Sequence, residues 1–232
     1  MENLKILDDS SLNDILSQPS GYTLQFSKTP NNTNIWKDLN KNVFKVRKDI
    51  TLRFYGWRQC WTDLSFLKDL DEVERLSIDE GGIISLEPIK SMKNLVSLKI
   101  SARPDLSLRP IEEFQNLECL VLSVVQKDLE VITNFKKLNY LTFYGLLLGD
   151  LNLLEPLPSL CKLNLMDIKI KDYTAISRFK KIEYLFLSEL KNVSNINFVK
   201  GLSSLKQLDI ANMSLQSLSS FEGCNQLGSL IF

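Results

Sequence analysis

The sequence predicts a β-rich α/β solenoid, a right-handed superhelix with a parallel β-sheet on its concave side and 3-10 or short helical turns on its convex side. Two observations lead to this prediction. A strand phrase, apolar-x-x-apolar-x-apolar, occurs eight times at intervals of 21 to 23 residues. A second apolar pattern, with steps of three residues, precedes each phrase. Repeats of this length are typical of solenoids, which display side chains from many turns on one broad surface.

The strand phrase predicts one short strand in each repeat. Its first clear copy is Val73, Leu76 and Ile78. The other seven copies are Leu95/Leu98/Ile100, Leu117/Leu120/Leu122, Leu138/Leu141/Phe143, Leu160/Leu163/Leu165, Ile182/Leu185/Leu187, Leu205/Leu208/Ile210 and Leu227/Leu230/Phe232. Because side chains alternate along a strand, the apolar residues face the core and the residues between them face outward.

The pattern with three-residue steps predicts a 3-10 turn before each strand. The three leucines at the ends and middle of residues 64–70 show this spacing. Side chains three residues apart eclipse in a 3-10 helix, whereas a longer α-helix would alternate steps of three and four. Pro88, Pro110 and Pro156 are expected in the segments that open such turns, where a missing N–H costs little.

Residues 1–48 are predicted to form an N-terminal cap, because the first turn of a solenoid would otherwise expose its core. We expect a short helix that begins at Ser10 or Ser11, a strand over residues 22–26 and a helical segment over residues 35–44. These segments differ from the repeats that follow, so the sequence places a separate small unit before the solenoid.

A degenerate first repeat is expected to join this cap to the clear repeats. Its apolar residues share one parity, which predicts a strand: Phe44, Val46, Ile50, Leu52 and Phe54. Trp57 and Trp61 are expected to cover the adjoining core. The predicted solenoid therefore covers residues 49–232, with one degenerate and eight clear repeats.

These repeats resemble the leucine-rich repeat family, in particular its short bacterial, internalin-like class with about 22 residues per repeat. The resemblance covers roughly residues 49–232. In that family an Asn or Cys usually follows three residues after the last strand apolar position and bonds the turn backbone. Here the position holds Gly81, Arg103, Val125, Leu146, Ile168, Leu190 and Met213. Apolar packing and backbone hydrogen bonds must therefore hold these turns. The resemblance implies a bacterial scaffold protein that binds other proteins.

Composition restricts the partners and the compartment. The chain carries 28 basic and 28 acidic residues, so the sequence does not favour nucleic acid or an anionic membrane surface as a partner. No apolar run is long enough to span a bilayer, and the N-terminus lacks the pattern of a signal peptide. The four cysteines form no Cys-x-x-Cys pair, which favours free thiols over a metal or redox site. Together these features predict a cytoplasmic protein.

The sequence offers little for catalysis. It contains no histidine, which excludes Ser-His and Cys-His nucleophile systems and histidine metal sites. Asp79 and Asp209 both fall on the predicted concave face, but six repeats separate them, roughly 29 Å at the usual strand spacing. This distance is too large for a carboxylate pair that shares one substrate bond. We therefore expect no enzymatic activity, no catalytic residues, no metal and no cofactor.

The outward-facing strand positions carry the candidate binding residues. They fall into a basic zone (Arg53, Arg75 and Lys99, interrupted by Asp79), an aromatic centre (Val121, Tyr140, Tyr144, Met166, Tyr184 and Phe186) and Asp209 beyond it. Aromatic residues and methionine flanked by charge are typical of the centre of a protein interface. The alternative is that aromatic side chains serve the sheet itself, since they favour strands and stabilise cross-strand pairs.

The sequence therefore predicts a non-enzymatic protein–protein interaction module that binds a protein partner on its concave face. One finer interpretation is a cytosolic antagonist, adaptor or immunity-type protein; another is a surface or secreted adhesion module of the internalin type. An enzyme that uses carboxylates or a thiol is a third class. The last strand, which ends at Phe232, is expected to pair along its open edge with a partner or with a second copy. A short strand whose edge is exposed and tolerated is the alternative.

Overall fold

The computed structural model describes residues 9–28, 34–56, 61–79, 81–191, 193–216 and 221–231. Within these ranges ten strands form one parallel sheet in which each strand pairs with its neighbours in chain order. The strands are β1 (Thr23–Phe26), β2 (Thr51–Tyr55), β3 (Arg75–Asp79), β4 (Ser97–Ser101), β5 (Cys119–Ser123), β6 (Tyr140–Tyr144), β7 (Lys162–Met166), β8 (Tyr184–Ser188), β9 (Gln207–Ala211) and β10 (Ser229–Ile231). The predicted leucine-rich-repeat architecture is confirmed.

Seven of the eight predicted 3-10 turns are seen on the convex side, and the turn predicted over residues 218–224 falls partly outside the described residues. The seven turns are Ser65–Asp69, Glu87–Ile89, Arg109–Ile111, Leu129–Asn134, Asn152–Leu154, Thr174–Arg178 and Asn197–Val199. Hydrogen bonds between residues three apart hold them, as between the Leu67 N–H and the Leu64 carbonyl at 2.9 Å. Pro88 and Pro110 are the second residues of their turns and so fall in the opening segments, as expected. Pro156 instead follows its turn, so the expectation for that proline is wrong.

The sheet is in register from end to end, which aligns equivalent side chains of successive repeats. Leu163 of β7, for example, lies beside Leu141 on one side and Leu185 on the other. These leucines are fully buried between the sheet and the 3-10 turns. Lys162 and Met166, which alternate with the core residues, project from the other face. The apolar phrase thus builds the core, and the residues between its members form the concave surface.

Successive repeats are joined by left-handed residues directly after the strands. Val124, Gly145, Asp167, Glu189 and Asn212 all have positive φ. The N–H groups of the first four donate to the last strand carbonyl of the next repeat, at 2.8 to 3.2 Å. The next residue is buried in four of these turns (Val125, Leu146, Ile168 and Leu190). Packing and backbone hydrogen bonds therefore replace the missing asparagine there, whereas Gly81 and Arg103 are exposed.

The N-terminal segment contains α1 (Asp9–Leu16), β1 and α2 (Ile35–Leu39), which continues into one turn of π-helix at Asn40–Phe44. The predicted helices and the predicted strand are therefore present. β1 pairs directly with β2, so the sheet begins within residues 1–48 and has one strand more than the repeats predict. The division of the chain at residue 48 stays a prediction.

The strand predicted from Phe44 through Val46 to Phe54 is correct only from residue 51 onward. The Arg47 N–H donates to the Val43 carbonyl at 2.8 Å, so the backbone is still helical there. Val46 is consequently 68 % exposed instead of facing the core. The shared parity of these apolar residues is a coincidence of a helical end followed by a true strand.

A cluster of aromatic side chains closes this end of the core. Trp36 stacks on Phe66 at 4.5 Å between ring centroids, and Phe54 meets the edge of Trp61 at 4.8 Å. Trp61 is fully buried, as predicted, whereas Trp57 lies outside the described residues.

Arg47 ties the segment that contains α1 to the start of the solenoid. Its guanidinium donates two hydrogen bonds to the Asp49 carboxylate, both at 2.8 Å, and others to the carbonyls of Leu16 and Gln18. The Gly21 N–H also donates to Asp49, at 2.9 Å. These bonds place the pKa of Asp49 well below its usual range, chiefly through the hydrogen bonds from Arg47.

The far end of the sheet is more open. β10 pairs with β9 along one edge, and within the described residues Leu230 and Ile231 are 38 % and 52 % exposed. The predicted pairing of this edge with a partner or a second copy stays a prediction, and Phe232 lies outside the described residues.

Candidate functional site

The concave surface consists of three columns of side chains, one from each outward position of the five-residue strands. The middle column contains Arg53, Ser77, Lys99, Val121, Thr142, Asn164, Phe186 and Asp209. Neighbours in a column lie roughly 4.8 Å apart, the usual spacing of paired strands. All ten predicted site residues therefore lie on one face of the sheet, and their order along it follows the chain.

The basic zone is less uniformly positive than the sequence indicates. Arg53 forms an ion pair with Asp79 at 2.5 Å, donates to the Gln25 side chain at 3.1 Å and lies over the Tyr55 ring. Arg75 and Lys99 have no ion-pair partner among the described residues, and Lys99 is exposed. Two cations in this zone are therefore available to a ligand, and one of them, Lys99, lines an open groove of about 560 Å³.

The aromatic centre is divided by polar side chains. The register places Thr142 beside Val121 and Asn164 beside Phe186, so no continuous apolar stripe runs along the middle column. The Asn164 amide donates to the Tyr140 hydroxyl at 2.7 Å and to the Thr142 hydroxyl at 3.1 Å. This network fixes the Tyr140 ring on the surface.

Thr142 and Asn164 are functional candidates that sequence reasoning missed. Both are buried although they lie on the concave side. The Asn164 side-chain oxygen has no hydrogen-bond partner among the described residues. The signal in the sequence was a pair of short polar residues at equivalent positions of adjacent repeats, within a surface otherwise rich in large side chains.

Tyr144 and Met166 form a second part of the centre, in the third column. They are direct neighbours on β6 and β7, and Tyr144 is 41 % exposed. Val121 and Phe186 are only half-buried. Apolar atoms of four side chains therefore reach the surface around the Thr142–Asn164 pair, with Val121 and Phe186 flanking it along the middle column and Tyr144 and Met166 beside it in the third column.

Tyr184 and Asp209 are joined in one hydrogen-bond network. The Tyr184 hydroxyl donates to one Asp209 oxygen at 2.9 Å, and the Gln207 amide donates to both oxygens at 3.0 Å. Burial, followed by the hydrogen bond and the charge of Asp209, raises the pKa of Tyr184 to about 12. The phenol therefore acts as a hydrogen-bond donor throughout the physiological range.

The described residues offer few side chains suited to metal binding or catalysis. No cluster of three metal-binding side chains occurs there. The three described cysteines are free, and Cys224 is buried with its thiol directed at the Val199 carbonyl. Cys60 lies outside the described residues. None of the described helices has the length and apolar character needed to cross a membrane.

Sequence comparison matches the chain neither to a protein-family profile nor to a curated protein. Solved structures do match. The chain is similar to internalin C2 of Listeria monocytogenes (20 % identity over 73 % of this chain and 74 % of that chain, TM-score 0.53). It is also similar to internalin inlF of the same organism (20 % identity, 90 % of this chain, TM-score 0.58) and to TLR13 in a complex with ssRNA13 (18 % identity, 89 % of this chain, TM-score 0.56).

This chain spans 64 % of the inlF structure and 35 % of the TLR13 chain. At these identities the likeness concerns the fold alone. The ten parallel strands, the 3-10 turns and the similarity to internalins and TLR13 together show that the chain has the fold of the leucine-rich repeat proteins.

Proposed function

We propose that this chain is a non-enzymatic protein-binding module whose concave face holds a protein partner. The observation that carries the proposal is the set of half-buried and exposed Tyr, Phe and Met side chains around the Thr142–Asn164 pair. Tyr is among the residues that carry most of the binding energy of protein interfaces, and Phe and Met are enriched there. The free cations Arg75 and Lys99 supply the charged rim that usually surrounds such a centre.

The competing explanation is that these aromatics only stabilise the sheet. Cross-strand pairing accounts well for Tyr144 beside Met166, which are direct neighbours. It accounts less well for Tyr140 and Tyr184, because Lys162 lies between them in the first column. Their hydroxyls are instead held by Asn164 and Asp209, an arrangement that fixes both rings on the concave surface.

The test is capture of partners from an extract of the producing cell. The parent chain is compared with a variant that carries Tyr140→Ala, Tyr184→Ala and Phe186→Ala. Since hot-spot truncations cost about 2 kcal/mol or more each, we expect the triple variant to lose its partner entirely. Thermal unfolding of each variant shows whether the fold is retained.

A matched control removes the same number of large apolar side chains outside the concave columns. Val46, Ile84 and Leu147 are 65–69 % exposed and suit this purpose as a triple alanine variant. Equal retention of the same partner by the concave variant and the control would contradict the proposal. Loss of the captured material on treatment with ribonuclease would show RNA, as in the TLR13 complex, to be the partner instead.

Within this function we favour a cytosolic antagonist, adaptor or immunity-type role. The free thiols of Cys119 and Cys161, both half-buried, suit a reducing compartment. The adhesion alternative is supported by the similarity to internalins, which is a likeness of fold. Fractionation of the producing cell decides between them, because an adhesion module would be found at the cell surface or in the medium.

A further inference from the structure

Asp209 is a concave-face carboxylate whose hydrogen-bond partners are all neutral. Tyr184 and Gln207 donate to it, and no ion pair involves it among the described residues. One of its oxygens accepts from Gln207 alone and keeps a free lone pair. The carboxylate is half-buried, so bulk water screens its charge incompletely.

The neighbours of Asp209 in the middle column add to this negative potential. Phe186 lies directly beside it on β8, and the faces of a phenyl ring carry partial negative charge. Asn164 follows on β7, and its side-chain oxygen lacks a hydrogen-bond donor.

Within the described ranges no cation pairs with Asp209. Lys162 is the closest basic residue on the concave columns, but it belongs to β7 and the first column, with β8 between it and Asp209. It is exposed and forms no ion pair with Asp209. On the other side β10 contributes the neutral residues Ser229 and Ile231.

The geometry points to a subsite at Asp209 and Phe186 for a basic side chain of the protein partner, specifically an arginine. A guanidinium is planar, so it can stack on the Phe186 ring while one of its N–H groups donates to the free lone pair of Asp209. The ammonium group of a lysine could also donate to Asp209, but it would cover less of the Phe186 ring than a guanidinium does. This inference rests on the proposed function, since it names the chemistry of one anchor of the same partner.

The subsite also gives the orientation of the partner. Lys99 lies on β4, five strands before Asp209, which is roughly 24 Å at the usual strand spacing. The partner surface should therefore carry its arginine at the β9 end and carboxylates at the β4 end. That separation fits within an interface of ordinary size.

The test uses blocked arginine, N-acetyl-L-arginine N-methylamide, titrated into the isotope-labelled chain and followed by NMR. We expect saturable shifts at the Phe186 ring and at the Gln207 side-chain amide. Asp209→Asn should weaken this binding at least fivefold, and blocked citrulline, the neutral analogue, should not bind. Asp79→Asn is the matched control, because its carboxylate lies on the same face but is paired with Arg53.

Three results would overturn the inference. They are absence of saturable shifts at Phe186 and Gln207, equal arginine affinity in Asp209→Asn, and tighter binding of blocked glutamate at the same residues. Thermal unfolding of Asp209→Asn, together with Phe186→Leu as a second variant, separates loss of the site from loss of the fold. If arginine fails to bind while capture still depends on the concave triple variant, the proposed function stands and the subsite is wrong. If the triple variant captures the same partner as the parent chain does, the proposed function itself is overturned.

Discussion

Replacement of Asp209 by Asn tests the electrostatics of the concave face through the ionisation of Tyr184. In the parent chain burial, the hydrogen bond to Asp209 and the charge of Asp209 raise the pKa of Tyr184 to about 12, in that order of importance. The substitution removes the charge of Asp209 and leaves the hydroxyl at most a weaker hydrogen bond to a neutral amide oxygen, while the burial remains. The pKa should therefore fall, to a value between 12 and the ordinary 10 of a tyrosine.

The size of the shift in the parent makes the measurement practicable. At pH 10 an ordinary tyrosine is about half ionised, whereas one with a pKa of 12 is about 1 % ionised. Because the folded state holds the phenol proton more tightly than the unfolded state, the stability contribution is complete below pH 10. It is lost as the pH rises from about 10 through 12.

Ultraviolet titration of tyrosinate provides the assay. The chain has six tyrosines, so the curve of a Tyr184→Phe variant is subtracted to isolate Tyr184. We expect late ionisation in the parent and earlier ionisation in Asp209→Asn. An identical Tyr184 curve in both proteins would refute the inferred coupling, and titration of Tyr184 near pH 10 in the parent would refute the inferred burial.

Three further predictions concern stability. Gly223→Ala should destabilise the chain by about 2–4 kcal/mol in denaturant unfolding, because φ is positive there and an added Cβ would lie 2.9 Å from the backbone of the preceding repeat. Gly149→Ala, with open space around it, should be neutral or stabilising by at most about 1 kcal/mol; equal effects of the two would contradict this reasoning. Since its native pKa is lowered, Asp49 stabilises the fold above about pH 4, and this stabilisation is lost as the pH falls. Asp49→Asn should therefore make the free energy of unfolding depend less on pH in the acid range. An unchanged dependence would count against the contact between Arg47 and Asp49. Leu163→Ala should cost about 2–5 kcal/mol, whereas Leu230→Ala at the equivalent position of β10 should cost under about 1 kcal/mol, because only the first is fully buried; similar costs would show a more closed end of the sheet.

The sequence is most informative where one spacing recurs. Eight copies of the strand phrase place each strand within a residue or two, because a single period sets the register of every repeat. The same logic fails at the N-terminal end, where no copy exists for comparison. Val46 shares the parity of a true strand but belongs to a helical turn. β1 pairs with β2 although its sequence does not contain the repeat phrase.

The sequence predicts which residues lie on the candidate surface but not which of them pair with one another. The register places all ten predicted residues on one face, and reading the columns requires the sequence alone. Pairings depend on side-chain conformations that the sequence does not specify. For this reason the engagement of Arg53 by Asp79, the buried amide of Asn164 and the partnership of Tyr184 with Asp209 became visible only in three dimensions.

The aromatic cluster formed by Phe26, Trp36, Phe54, Trp61 and Phe66 makes the two ends of the sheet unequal. Each strand contacts only its neighbours, so the chain should lose its structure sequentially and not in a single event. Fraying should begin at β10, where the exposed side chains of Leu230 and Ile231 leave little apolar contact to hold the edge, and should reach β9 next. The β2 end should persist longest, which means that Asp209 lies on the strand next to the most labile one and Arg53 in the most durable part of the surface.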